Sequence, residues 1–150
     1  KSFMQDQIKE KIESGFHCIK IKVGSLDFDQ ECDILKNIRS YYSSDDIEIR
    51  LDANGAFSFK SAIKKLKILS GFGIHSIEQP IAVNQWEEMA FLCKNSPIKI
   101  ALDEELIGLN SALEGEKMLK KICPQFIIIN WQNLKKSNGG VLVHWKAILG

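Results

Sequence analysis

Apolar residues recur along the chain with two alternating periods. Met4, Ile8 and Ile12 stand at helical spacing, and Gly15 follows as a helix C-cap. Cys18 to Val23, CIKIKV, switches to a period of two, which predicts a strand. Phe28 to Tyr42 returns to helical spacing, with Phe28, Cys32, Leu35 and Ile38 on one side. Ile47 to Leu51, IEIRL, alternates again, and Phe59 to Ser70 is helical through Ile63, Leu66 and Leu69. Gly71 and Gly73 punctuate before a short strand, His75 to Glu78. Asn84 with Glu87 reads as a capping box opening a helix that carries Trp86, Met89, Ala90 and Cys93. Ile98 to Leu102 is a strand, and Ser111 with Glu114 begins a helix running to about Lys121. Phe126 to Ile129 follows Pro124 as a fifth strand, and Asn130 to Gly140, NWQNLKKSNGG, is irregular.

The predicted order is one helix, four strand–helix units and a last strand. Strict alternation argues for an α/β fold, a parallel sheet with helices packed outside. Five strands fit either an open doubly wound sheet or part of an eight-stranded (β/α) barrel, and the pattern alone does not choose.

The ends of the strands add the information that chooses. The first closes on Lys20-Ile21-Lys22, the second on Asp52, the third on Glu78 and the fourth on Asp103. Successive charges lie about one strand–helix unit apart, and the C-terminal strand ends of a parallel barrel converge on one mouth. Parity agrees. Lys20 and Lys22 share a face opposite Ile19, Ile21 and Val23, while Asp52 opposes Ile49 and Leu51, and Asp103 opposes Ile100 and Leu102. The branched apolar face is expected to pack on helices and the charged positions to face the mouth. Singly, each carboxylate would be a surface ion pair or a helix cap, and two lysines would be a solvated strand face. In register at neighbouring strand ends they form a constellation.

Three carboxylates so placed repel unless a cation sits among them, and all-oxygen ligation suits Mg²⁺. Such a metal stabilises the negative oxygens of an enediolate formed by removing a proton alpha to a carboxylate. The base must be unprotonated near neutral pH, and a lysine beside a second lysine and a dication is expected to have a lowered pKa.

Composition narrows the partners. Of 150 residues, 45% are hydrophobic, and 20 basic side chains nearly balance 19 acidic ones. No charge excess calls for nucleic acid or a membrane surface. A small-molecule carboxylate is the expected partner, and oligomeric state is not legible. Cys18, Cys32, Cys93 and Cys123 lack metal-ligand spacing and are expected to be small core residues of a cytoplasmic protein. His17, His75 and His144 form no ligand set, and Trp86 is expected on the outside of the barrel. The Gly71-Phe72-Gly73 stretch lacks what a dinucleotide loop needs. The longest apolar run is too short to span a bilayer, and the KSFMQDQIKEK start is not a signal peptide.

The K-x-K at Lys20–Lys22, the DAN at Asp52, the EQP at Glu78 and the DE at Asp103 resemble the enolase superfamily in order and spacing, over roughly residues 1 to 130. Within it, GFHCIKIKVG, DFDQE, IRLDANGAFS, HSIEQPI and IALDEELIG look like the o-succinylbenzoate synthases of menaquinone biosynthesis. The resemblance implies a partial (β/α) TIM-like barrel carrying about five strands. Residues 1–150 would be the central part of the barrel domain, with the capping domain and last strands absent and 130–150 divergent. It implies a Mg²⁺-dependent dehydration of 2-succinyl-6-hydroxy-2,4-cyclohexadiene-1-carboxylate to o-succinylbenzoate. Asp52, Glu78 and Asp103 would bind Mg²⁺, and Lys22 would abstract the alpha proton. Lys20 would tune and position Lys22 and the substrate carboxylate, and Asn54 and Glu104 would stand behind the ligands as polar supports.

Asn130 departs from the family pattern, which places a lysine at the end of the sixth strand. Its neutral side chain disfavours two-base racemisation, so an amino-acid or dipeptide racemase or epimerase is the second reading. A barrel fragment that binds metal without turnover is the third. The chain opens without Met and stops at Gly150 after VLVHWKAIL, so both ends are expected to be cut, and the isolated piece is expected to be poorly soluble.

Overall fold

A computed structural model of the chain describes residues 2–107, 109 and 111–128. Its elements, in order, are α1 (Ser2–Glu13), β1 (Cys18–Lys22), α2 (Phe28–Tyr41), β2 (Glu48–Asp52), α3 (Phe59–Ser70), β3 (Ile74–Glu78), α4 (Trp86–Asn95), β4 (Lys99–Leu102), α5 (Ala112–Ile122) and β5 (Phe126–Ile127). A single 3-10 turn, Glu104–Leu106, follows β4.

The five strands form one parallel sheet in the order β1-β2-β3-β4-β5. Sequential order is that of a (β/α) barrel wall, because a doubly wound sheet reverses direction at a switch point. The register aligns Lys22 with Asp52, Asp52 with Glu78, and Glu78 with Ala101. The strand ends therefore finish level, and the loops leaving them gather at one edge.

The branched residues do as their parity predicts. Ile49, Leu51, Ile77, Ile100 and Leu102 are fully buried and form one core with Leu35, Leu66, Leu69, Met89, Leu92 and Met118 from the helices. Burying each such side chain is worth about 1.5–3 kcal/mol, so this layer is what holds the strand ends in place.

The connections carry specific constraints. Gly24, after β1, has φ +93°, and a Cβ there would lie 2.4 Å from the Ala56 Cβ, so the first and second strand-end loops touch only because residue 24 is glycine. Glu31 in α2 is buried and accepts the backbone N–H groups of Gly24 (2.6 Å) and Leu26 (3.2 Å), anchoring the loop that leaves Lys22. Ser111 caps α5 by accepting the Glu114 N–H at 3.2 Å, as its sequence predicts.

Two expectations need correction. Asn84 does not cap α4. The helix begins at Trp86 after Gln85, which makes no side-chain cap, and Asn84 sits at φ +65° with its N–H donated to Glu105. Local capping yields here to a tertiary acceptor. Of the four cysteines only Cys93 is buried; Cys18 and Cys123 are exposed and Cys32 is intermediate, all as free thiols. Cys18 alternates onto the inner face with the two lysines, which is why it escapes the core. Trp86 is only partly buried and its indole N–H is engaged in a hydrogen bond, so it does more than pack. His75 stacks on Phe126 with ring centroids 5.3 Å apart and shares a 3.0 Å hydrogen bond with Ser76, a structural role. The expectations for Asn130, His144 and the stretch 130–150 lie outside the described residues. Among the described residues, no helix is long and apolar enough to cross a membrane.

Candidate active site and metal centre

The inner face of the sheet ends in a chain of alternating charges. Asp52, the last residue of β2, and Glu78, the last of β3, are 3% and 5% exposed. Carboxylates so far from water need a cation or several donors. Lys20 supplies the cation between them: its Nζ lies 3.0 Å from Asp52 Oδ2 and 2.7 Å from Glu78 Oε2. Lys22, two residues on and on the same face, reaches Asn54 Oδ1 at 2.6 Å and lies 3.8 Å from Asp52 Oδ2. Its side chain is 73% exposed, so its amine faces the open mouth.

Asn54 has φ +43°, a left-handed conformation that asparagine tolerates better than most residues. The turn lets the Asn54 N–H donate to Asp52 Oδ1 at 3.1 Å while its side chain turns toward the mouth. There its amide N–H donates to Glu104 Oε1 at 2.7 Å. One amide thus touches the exposed lysine and the fourth strand's acidic run together.

Oxygen atoms of Glu78, Asp103 and Glu104 all lie within 4.8 Å of one another. Among the described residues, Glu78 Oε1 and Glu104 Oε2 are buried with no hydrogen-bond partner. Burial pushes the Glu78 carboxyl above its ordinary pKa; Lys20 opposes this, while the Asp52 charge and the adjoining Asp103 carboxyl add to it. Three carboxylates gathered so closely, two of them with an orphaned oxygen, are what a hard divalent cation relieves. The donor set, all carboxylate oxygen, fits Mg²⁺.

The arrangement differs from expectation in two respects. Glu104, expected behind the ligands, stands with Glu78 and Asp103. Asp52, expected beside them, is drawn to Lys20, Lys22 and the Asn54 N–H. Of the lysine pair, Lys20 has its pKa raised. Burial works to lower it, but hydrogen bonds and charge from Glu78 and Asp52 outweigh burial, so it is held as an ammonium.

Sequence reasoning missed Gln79, Glu105 and Glu31. Gln79 is fully buried and Glu105 is 6% exposed, and they hydrogen-bond to each other. The signal for each was its place in a quoted motif, EQP for Gln79 and IALDEELIG for Glu105, just past a strand-end carboxylate. Glu31, on a helix, closes the DFDQE stretch of the resemblance, but nothing in its spacing pointed to a loop anchor.

A parallel wall in barrel order, with lysines on one strand end and carboxylates on the next three, defines the class. The chain belongs to the enolase superfamily, and residues 4–115 match the family described as enolase C-terminal domain-like. It is 56% identical over 85% of its length to an o-succinylbenzoate synthase of Desulfotalea psychrophila. Its fold superposes on the crystal structure of MenC from that organism with a TM-score of 0.81, at 54% identity, covering 85% of this chain and 35% of that one. A hydrophobic dipeptide epimerase of Enterococcus faecalis is 34% identical over 74% of the chain and 31% of its own length. An o-succinylbenzoate synthase structure from Thermosynechococcus elongatus, with Mg in its active site, matches at 29% identity and a TM-score of 0.73, covering 84% of this chain and 39% of that one. The chain spans about a third of the length of the curated relatives it matches.

Proposed function

We propose that the protein containing this chain is a Mg²⁺-dependent lyase of the o-succinylbenzoate synthase type, dehydrating 2-succinyl-6-hydroxy-2,4-cyclohexadiene-1-carboxylate to o-succinylbenzoate. The 56% identity to the Desulfotalea psychrophila synthase supports this reading most, because it extends over 85% of the chain. Asp52, Glu78 and Asp103, with Glu104 beside them, would hold the cation. Bound there, it would supply positive charge to the substrate carboxylate as the alpha carbon is deprotonated.

The side chains have separable tasks. Lys22, exposed at the mouth and held at Asn54 by 2.6 Å, is the base. Its neutral amine takes the alpha proton, the carbon–oxygen bond to the ring hydroxyl breaks, and the same ammonium returns the proton so that water leaves. Acid and base in one residue require both groups on one face of the ring, a syn elimination. Lys20 stays charged between Asp52 and Glu78, so it does not compete for the proton. It fixes the carboxylates and presents its charge to an anionic substrate. General acid–base transfer of this kind contributes about 10²–10⁴-fold.

The test is product formation by the full-length protein with Mg²⁺, against Lys22→Ala. Production of o-succinylbenzoate that disappears with Lys22 supports the reading. A protein that binds cation yet yields no product overturns it. The 34% identity to a dipeptide epimerase favours a second reading. Exchange of alpha protons of hydrophobic dipeptides with ²H₂O would support that one, and a cation-binding protein inert in both assays would be a non-catalytic member.

A further inference from the structure

Glu105 and Gln79 form a buried hydrogen-bond knot that lies beside the mouth rather than in it. Glu105 Oε1 accepts the Asn84 backbone N–H at 2.9 Å and the Trp86 Nε1–H at 2.8 Å. Its Oε2 accepts Gln79 Nε2–H at 3.2 Å, and the Glu105 backbone N–H donates back to Gln79 Oε1 at 3.3 Å. Gln79 Nε2 also donates to the Ile81 carbonyl at 3.0 Å. The Gln79 backbone is engaged on both sides as well, its N–H on the Ala101 carbonyl (2.9 Å) and its carbonyl on the Gly55 N–H (2.7 Å). Both side chains have every polar atom in use, and Gln79 adopts φ +40°, a conformation that costs a non-glycine residue about 1 kcal/mol.

A buried carboxylate is costly where an apolar side chain would pack, unless its bonds serve to fix geometry. Here they fix a particular one. Gln79 is the residue after Glu78, and Glu105 comes directly after Asp103 and Glu104. The knot therefore clamps the two chain segments that bear the three clustered carboxylates, one residue past each. The indole of Trp86 and the N–H of Asn84 bring the start of α4 into the same clamp.

We propose that Glu105, acting through Gln79 and Trp86, is a positioning residue that sets the separation of Glu78 from Asp103 and Glu104. It thereby sets the affinity of that cluster for a divalent cation, and so rests on the reading of the cluster as a cation site. Groups that orient metal ligands typically change affinity by about 10–100-fold when removed.

The experiment is Mn²⁺ titration of the substrate-free, full-length protein, followed by the electron paramagnetic resonance of free Mn²⁺, with thermal melts alongside. Glu105→Gln keeps the shape but sets an NH₂ group against Gln79 Nε2; it should bind Mn²⁺ about tenfold more weakly or worse. Trp86→Phe, which removes a single donor, should weaken binding in the same direction by less, and it decides the matter should Glu105→Gln not fold. A residue serving stability alone would lower the melting temperature and leave Mn²⁺ affinity unmoved. Wild-type affinity in folded variants, with Glu78→Gln still weakened, overturns this proposal alone. No Mn²⁺ binding by the wild type, or binding indifferent to Glu78→Gln, overturns the cation site and this proposal with it.

Discussion

Lys22 and Glu104 are joined through a single side chain: the Asn54 carbonyl accepts from Lys22 Nζ at 2.6 Å and its amide donates to Glu104 at 2.7 Å. The lysine proposed as the base and the acidic cluster therefore share one bridge whose two ends cannot be exchanged. Asn54→Asp keeps the turn at φ +43° but replaces the amide donor by a charge facing Glu104. Its carboxylate would also hold Lys22 by full charge. We expect kcat to fall by at least about tenfold with an unaltered circular dichroism spectrum. Unchanged kcat would show that the bridge is dispensable.

Lys20→Met should act on stability before it acts on rate. It leaves Asp52 and Glu78 facing each other with their shared ammonium removed. Because Lys20 is 48% exposed, the cost is discounted for solvent screening to about 1–2 kcal/mol. The loss should be largest in EDTA and shrink with added Mg²⁺, read as melting temperature in the two buffers. Equal losses in both would separate Lys20 from the cation site.

Glu31 offers a test of the loop that leaves Lys22. Its Oε1 receives the Gly24 and Leu26 N–H groups, while Oε2 is buried without a partner among the described residues. Glu31→Ala should cost about 1–3 kcal/mol in urea unfolding, since two part-buried donors lose their acceptor. Glu31→Gln, which retains an oxygen acceptor, should recover most of this.

The range of each interaction decides how much of the molecule is legible in the sequence. Phe59–Ser70 has the same ends in the pattern and in the fold because helical spacing is local, and the sheet's inner and outer faces come from parity alone. The mouth is legible because its charges interrupt apolar strands at their ends. Asn84 misleads because its N–H goes to Glu105, a partner far along the chain that no local pattern reports. The Asn54 bridge, the placement of Glu104 and the Gln79–Glu105 knot depend on loops meeting across strands, which spacing does not encode. Cys18 misleads because composition rules ignore which strand face a residue occupies.

Cys93 gives the protein an alkaline liability. Burial, with Cys123 nearby adding to it, pushes its thiol up from the ordinary 9.0 to about 12. The folded state thus favours the protonated form. Its contribution is complete below pH 9 and lost as pH rises from there toward about 12, because the unfolded chain releases the proton first. Over that window stability should fall by up to about 1.4 kcal/mol per pH unit on this account. Cys93→Ala should flatten that slope, measured as urea midpoints across alkaline pH, even if it is less stable at pH 7.

Because the strands succeed one another around the wall in chain order, every group assigned to proton transfer or cation binding is drawn from one uninterrupted stretch, Lys20 to Glu104. Such a stretch is heritable as a unit. Recombination that exchanges the flanking sequence would carry the reactive apparatus along unbroken and alter what reaches it.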